Sequence, residues 1–440
     1  MKVAFRTLGC KVNQYETEAV RELFVRQGYE ITRSLEDCDV YVVNTCTVTH
    51  MSDSKSRQTI RRIKKNNPDA VVCVVGCYSQ VAPEEIEAID NVDIIIGTKG
   101  RAQLPDLVRQ FRLDGKRRVE IRDLEEDRAF DELTIHTEFE NTRAYIKIQE
   151  GCDMYCSYCI IPYSRGHIAS RRARAIEEEI QDLVKKGFKE VVLTGIHVAS
   201  YGKDLGGAFG LMELIEQLSR ISGLERIRLS SIEPRWVTED RLERLSQIPA
   251  FCDHFHLSLQ SGSDQILQSM NRKYDTTVYQ ERVDMIRRYF PHCGITTDVI
   301  VGFPGETEKA FQETLKFCQT IGFSRIHIFP YSPRRGTPAA LFTGQINPEE
   351  KKNRVHRLEE LEERLRYAFL DRELGHREEV LFEELSGDST FMEGYTKNYN
   401  RVKMPRKDEW RNQVILCDLV RREGDLLVAQ EVPSGESSHK

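Results

Sequence analysis

GCDMYCSYCIIPYSRG, residues 151–166, places Cys152, Cys156 and Cys159 within eight residues, behind a glycine and ahead of Arg165. The segment before it, AYIKIQEG (144–151), reads as a β-strand, so the three thiols fall in the loop that follows. Five more strand candidates come later: EVVLTG (190–195), RIRLSS (226–231), HFHLSLQ (254–260), ITTDVIVGF (295–303) and RIHIFPY (325–331). Helical segments separate most of them, including AIEEEIQDLVKKG, FGLMELIEQLSRI and KAFQETLKFCQTIG. Six strands with helical crossovers predict a partial (β/α)6 barrel over residues 143–371, ending in a charged helix from Pro348 to about Asp371. Barrel enzymes gather their chemistry in the loops after strands, where this triplet lies.

On the amino-terminal side, VAFRTL, VYVVN (40–44), VVCVVG (71–76) and VDIII (92–96) alternate with helical stretches such as ETEAVRELFVRQG and SKSRQTIRRIKKN. Short apolar strands alternating with helices predict an open parallel α/β sheet over residues 1–115. Residues 116–142 are charge-rich and read as a linker or edge element. Beyond the barrel, residues 372–433 change character: EEVLFEEL, TFMEGYTKN, YNRVKMP, QVILCDLVRR and DLLVAQEV are short strand-like runs that suit a small antiparallel β-barrel. SGESSHK, residues 434–440, reads as a flexible tail. The expected class is therefore α/β multidomain.

The 440-residue chain carries 40% apolar and 30% charged residues, the balance of a folded soluble protein. No apolar window approaches the 18 residues of a membrane span, and the first residues lack the apolar core of a signal peptide. The expected location is the cytoplasm, where twelve cysteines would not normally pair as disulfides. A formal net charge of −6 argues against wrapping nucleic acid with the whole surface, but leaves room for a local basic face.

Two sets of three cysteines stand out. Cys152, Cys156 and Cys159 follow a Cys-x3-Cys-x2-Cys spacing. A structural zinc would want a fourth ligand, which His167 can supply; a four-iron cluster held by three thiolates is complete with one iron left open. Ligand type alone does not choose between them. Cys10, Cys46 and Cys77 each follow a different strand of the amino-terminal sheet, and loops after parallel strands converge at one edge. Gly9 and Gly76 precede two of them and allow close turns. The alternative is three unrelated loop thiols.

Taken together, these segments resemble the radical S-adenosylmethionine methylthiotransferases, and within them the bacterial branch acting on N6-threonylcarbamoyladenosine at position 37 of tRNA. GCDMYCSYCIIPYSRG resembles the reducing-cluster loop; TLGCKVNQYE, NTCTVT and VVGCYSQ resemble the auxiliary-cluster segments. LSLQSGSDQILQSMNRKY and TTDVIVGFPGETE resemble barrel segments, and GYTKNYNRV resembles the terminal RNA-binding module called TRAM. The likeness covers nearly the whole chain, and its tRNA branch rests mainly on CKVNQYE. It implies a 4Fe–4S cluster on Cys152, Cys156 and Cys159 whose open iron binds S-adenosylmethionine, and an auxiliary 4Fe–4S cluster on Cys10, Cys46 and Cys77 involved in sulfur delivery. It further implies two S-adenosylmethionine molecules per turnover, one cleaved to a 5′-deoxyadenosyl radical and one giving the methyl group. An external electron donor and a sulfur donor are needed. Tyr158, Gly195, Gln260 and Arg272 are the expected contacts to S-adenosylmethionine, with cluster shielding, strand-end bonding and a surface ion pair as their plainer roles.

The expected partner is a tRNA anticodon stem-loop. Lys397, Arg401, Lys403, Arg406, Lys407 and Arg411 give the terminal module a basic segment interleaved with Tyr395, Tyr399 and Trp410, a composition suited to looped RNA. Two further basic groups are Arg165, Arg171, Arg172 and Arg174 beside the barrel triplet, and Arg57, Arg61, Arg62, Lys64 and Lys65 on a helix. The threonylcarbamoyl carboxylate calls for a basic residue in the pocket, with Arg334 and Arg335 as candidates beside a plain turn.

Overall fold

A computed structural model describes residues 1–34, 36–135, 142–385 and 390–432; the expected tail at 434–440 lies outside them. Strands β1 (Lys2–Thr7), β2 (Glu30–Thr32), β3 (Val40–Thr45), β4 (Val71–Gly76), β5 (Ile94–Ile96) and β6 (Arg118–Glu120) form one parallel sheet in the order β2-β1-β3-β4-β5-β6. β3 and β4 are buried along their whole length, which is why they read as unbroken Val-rich runs and not as alternating ones. β6 comes from the charge-rich stretch after residue 115, and Leu133 and Ile135 from the same stretch pack into this sheet's core.

The central unit runs β7 (Arg143–Glu150), β8 (Ala169–Ser170), β9 (Glu190–Gly195), β10 (Arg226–Leu229), β11 (His254–His256), β12 (Gly294–Val301) and β13 (Arg325–Pro330). The parallel strands are laid side by side in chain order, with β8 an antiparallel edge on β7. Between β10 and β11 the sheet narrows to single bridges at Ile227–Phe251 and Ile232–Leu257. This is the partial (β/α)6 barrel. Outward residues such as Ile227, Phe255, Leu257, Val299 and Ile326 pack beneath the helices. Their neighbours Arg228, His254, His256, Thr296, Asp298 and His327 line a cavity instead, as strand alternation requires.

The helix Pro348–Arg372 leads into β14 (Arg377–Leu385), β15 (Phe391–Thr396), β16 (Arg401–Pro405), β17 (Val414–Glu423) and β18 (Leu426–Glu431), a closed barrel in the order β14-β15-β16-β18-β17. All its pairs are antiparallel except the closing β16–β18 pair. It docks on the starting ends of the central strands: Arg226 and Arg228 donate to the carbonyls of Tyr395 and Lys397, each at 2.8 Å. The amino-terminal unit docks on the loops at the opposite ends, where Thr98 Oγ1 donates to the Ser164 carbonyl at 2.8 Å. Among the described residues no helix is long and apolar enough to cross a membrane.

Candidate active site

The loop after β7 doubles back on itself at Gly151. That residue has φ +71°, and a Cβ there would sit 1.7 Å from the His167 carbonyl oxygen. Glycine is required on both counts. Cys152 N–H donates to the Gly166 carbonyl at 3.0 Å, and Ser157 is pinned by its N–H to Met270 O (3.1 Å) and its hydroxyl to Ser269 O (2.7 Å). Arg272 reaches over the triplet, with Nη1 3.4 Å from Cys156 Sγ, Nε 3.0 Å from the Tyr274 hydroxyl and Nη2 3.3 Å from the Ser258 carbonyl. Burial pushes the Cys152 thiol up to about 11 and Cys159 up to about 12, and in both the neighbouring thiols add to the rise. Such thiols stay neutral until a metal takes their protons. His167 is turned away: its ring nitrogens lie 2.7 Å from Asp153 and 2.8 Å from Glu125. That leaves the zinc reading without its fourth ligand.

Cys10, Cys46 and Cys77 meet at the end of the amino-terminal sheet. Cys10 caps the helix Lys11–Arg26, and Cys77 opens the helix Cys77–Val81 behind Gly76 at φ +105°. A Cβ on Gly9 would lie 2.9 Å from the Cys46 Cβ, and one on Gly76 would lie 2.6 Å from the Thr45 carbonyl. The two glycines therefore let the three loops approach. Burial, then Cys77, push the Cys46 thiol up to about 11.

The two cysteine regions are joined by a buried ionic network. Arg165, at the end of the barrel loop, donates from Nε to Cys77 Sγ at 3.1 Å, from Nη2 to Asn13 Oδ1 at 2.9 Å, and from Nη1 to Glu150 Oε1 at 3.1 Å and to Glu16. Lys147 Nζ bridges Glu16 and Glu150 at 2.9 Å each, Arg101 pairs with Glu16 and Asp131, and Lys99 lies 3.8 Å from Glu150. Burial opposes ionisation here, yet the cations outweigh it, holding Glu16 well below the usual carboxylate range and Glu150 at about 2. Four cations face three carboxylates, so one positive charge is left over, and Arg165 sets it against Cys77. A metal-bound thiolate at Cys77 would balance the network, which makes the donor set fit a cluster better than a free thiol.

Between the three units lies a cavity of about 700 Å³, lined by Cys10 and Lys11, by the barrel lumen residues Arg228, His254, His256, Asp298 and His327, and by Tyr395, Tyr399 and Arg401 of the small barrel. His256 is held by Thr296 Oγ1 at 2.9 Å and sits 3.2 Å from Asp298 Oδ2. The ligand atoms of His256, Asp298 and His327 lie within 4.8 Å of one another, close enough for a divalent ion. Sequence reading missed this group, although HFHLSLQ and RIHIFP carry its signal: a polar residue at every second strand position points to the lumen.

Of the expected S-adenosylmethionine contacts, Arg272 and Tyr158 sit beside the barrel triplet. A Cβ on Gly195 would lie 2.9 Å from the Gln149 carbonyl, and Gln260 follows β11 at φ +72°. The basic segment of the small barrel is not bare. Lys397 pairs with Glu379, Arg401 with Glu393, Lys403 with Glu423, Arg406 with Asp408 and Lys407 with Glu431, while Arg411 is exposed. Tyr395 and Tyr399 stack on each other at 5.1 Å and face inward beneath Arg143 and Arg228. Two expectations are corrected. Arg165 and Arg171 are fully buried, Arg171 on Glu179, so they form no RNA-facing patch. Arg334 is committed to Asp53 and to Thr47 Oγ1 (2.6 Å) and lines a separate groove with Arg335, away from the cavity.

The profile of uncharacterized protein family UPF0004 matches residues 2–97, and that of the Radical SAM superfamily matches residues 146–318. The threonylcarbamoyladenosine tRNA methylthiotransferase MtaB of Bacillus subtilis is 41% identical over 95% of this chain and 94% of its own length. MtaB of Aquifex aeolicus is 40% identical over 85% and 91%, and a tRNA-2-methylthio-N(6)-dimethylallyladenosine synthase of Natranaerobius thermophilus 38% over 80% and 79%. The radical S-adenosylmethionine methyltransferase TsrM of Kitasatospora setae, solved with cobalamin and a 4Fe–4S cluster, shares the fold at TM-score 0.59, with 14% identity over 77% of this chain and 74% of its own. With cysteine sets, unit order and full-length relatives in agreement, the chain belongs to the radical S-adenosylmethionine methylthiotransferase family, in the branch of the threonylcarbamoyladenosine tRNA methylthiotransferases.

Proposed function

We propose that this protein transfers a methylthio group to C2 of N6-threonylcarbamoyladenosine at position 37 of tRNA, in the cytoplasm, using two 4Fe–4S clusters and S-adenosylmethionine. The observation that carries this reading is the shared cavity, where Cys10 of one cysteine set, the polar barrel lumen and the tyrosines of the small barrel meet. Cys152, Cys156 and Cys159 are the proposed ligands of the reducing cluster, and Cys10, Cys46 and Cys77 of the auxiliary one. When bound, these groups supply one-electron cleavage of S-adenosylmethionine and sulfur for transfer to an aromatic C–H, chemistry that acid–base side chains do not offer.

The chain's own residues position and shield. Gly151 and the Ser157 contacts fix the barrel loop, and Arg272 places a permanent cation beside Cys156. Arg165 sets its guanidinium against Cys77, opposing the rise that burial imposes on that thiol, while tying the two units together. Tyr158, Gly195, Gln260 and Arg272 are the proposed holders of S-adenosylmethionine. The three-sided enclosure limits water around a group held beside Cys10. An anticodon-loop base enters such a chamber at lower unstacking cost than a paired one. The polar lumen suits a base carrying a carboxylate and a hydroxyl. Lys397, Arg401, Lys403, Arg406, Lys407 and Arg411 are the proposed phosphate contacts, with five of them exchanging a carboxylate partner for RNA.

Reconstituted protein, given reductant, S-adenosylmethionine and tRNA carrying the modification, is expected to add one CH2S unit to the nucleoside mass at position 37. Addition only to dimethylallyladenosine tRNA would overturn the substrate assignment.

A further inference from the structure

We propose that Lys11 forms a carboxylate subsite in the central cavity and reads the threonylcarbamoyl carboxylate of the substrate; this rests on the substrate assigned above. The cavity wall carries five Lys or Arg cations: Lys11, Arg228, Arg325, Arg366 and Arg401. Four already have carboxylates. Arg228 grips Glu190 at 2.7 and 3.3 Å, Arg401 lies against Glu393, Arg366 is 3.3 Å from Glu362, and Arg325 is 3.7 Å from the same Glu362. Lys11 differs. Among the described residues its ammonium has no hydrogen bond and no ion pair, and it lies over the Tyr145 ring, 5.5 Å from the centroid.

No carboxylate touches Lys11: its nearest acidic influences are the Tyr399 hydroxyl and the more distant Glu190, and burial lowers its pKa. Arg143 and Arg228 are its cationic neighbours, and Glu383 and Glu190 are their carboxylates. Glu190 is shared further with Arg226 at 3.6 Å, so neither carboxylate is left for the half-buried Lys11 ammonium. Of the two acids on the cavity wall, Asp298 is taken by His256 and Asp425 lies 3.8 Å from Arg366. A ligand carboxylate is the group that would give this ammonium its missing partner. Lys11 also follows Cys10 directly, so an anion held by its ammonium is tied through one peptide unit to a proposed cluster ligand. That gives Lys11 two effects: recognition of the acidic side chain and placement of the base relative to Cys10. A neutral substituent would leave the ammonium buried and unpaired, which is how a polar site rejects an analogue lacking its partner group.

The test uses the cluster-loaded protein and two anticodon stem-loops, one with threonylcarbamoyladenosine and one with its carboxyl group converted to the amide. Wild-type protein is expected to bind the acid about 10- to 100-fold more tightly than the amide. Lys11→Met should weaken the acid by that factor and leave the amide unchanged, and Lys11→Arg should restore much of the preference. Equal binding of acid and amide by the wild type would overturn the subsite whatever the variants do. So would a Lys11→Met loss of the same size for both ligands. If the wild type converts no threonylcarbamoyladenosine tRNA at all, the assigned function fails, and that result is distinct from conversion without discrimination.

Discussion

Arg165→Leu removes the guanidinium that couples the two cysteine regions, and its cost depends on what Cys77 carries. The arginine gives hydrogen bonds to Cys77, Asn13, Glu16 and Glu150 with no exposure to solvent. Leucine keeps much of the packing volume and none of the donors. Removing one partner from a buried ion pair typically costs about 3–5 kcal/mol. Here Arg101, Lys147 and Lys99 still hold the two carboxylates, and the network falls to three cations against three carboxylates. The metal-free protein should therefore lose about 3 kcal/mol, the lower end of that range. In the cluster-loaded protein a Cys77 thiolate would lose the guanidinium that touches it, so the loss should exceed that of the metal-free form by about 1–2 kcal/mol. Anaerobic urea unfolding of both forms, wild type and variant, measures the two differences. Arg165→Lys should fall between, keeping the charge without the planar fork. A loss below about 1 kcal/mol, or one equal in loaded and metal-free protein, would refute the role of Arg165 as counter-charge to a bound thiolate.

Gly151→Ala places a Cβ 1.7 Å from the His167 carbonyl oxygen at φ +71°; iron content should fall by about half while the amino-terminal cluster is retained, and full iron content would contradict it. Burial, reinforced by Asp253, Glu373 and Glu379, raises the Glu378 carboxyl to about 7. A raised folded value means that its ionisation destabilises, so stability is full below the ordinary carboxylate range and falls as pH rises through about 7. Glu378→Gln should be about 2 kcal/mol more stable than wild type at pH 8 and equal to it at pH 4, as read by thermal unfolding. Arg411→Ala removes an exposed cation of the basic segment and should lower the salt dependence of tRNA binding by about one counterion, an unchanged slope counting against RNA contact there.

Local signals were legible and distant ones were not. The Cys152 triplet is read from eight residues of sequence, and Cys10, Cys46 and Cys77 from a repeated strand-then-cysteine pattern whose geometry a parallel sheet fixes. The three-unit order followed from strand and helix periodicity. Arg165 and Arg171 were misread because an arginine looks the same in sequence whether bare or buried, and the Arg165 partner Glu16 lies 149 positions away. Tyr395 and Tyr399 suggested an outward stacking face, yet Arg143 and Arg228 of the central barrel hold them inward. β6 is three residues of a charged stretch, too short to carry an alternation. Lys11 stood in plain view within CKVNQYE, but what marks it, the lack of any carboxylate beside it, exists only in three dimensions.

The central claim is that the chain holds two separate clusters, each on three cysteines. Anaerobic quantification of iron, sulfide and zinc in the wild type and in the Cys152/Cys156/Cys159→Ala and Cys10/Cys46/Cys77→Ala variants tests it most directly. About eight irons and eight sulfides per chain are expected in the wild type, and about four of each in either variant. Zinc in both places, or loss of all iron from a folded variant of either kind, would contradict it.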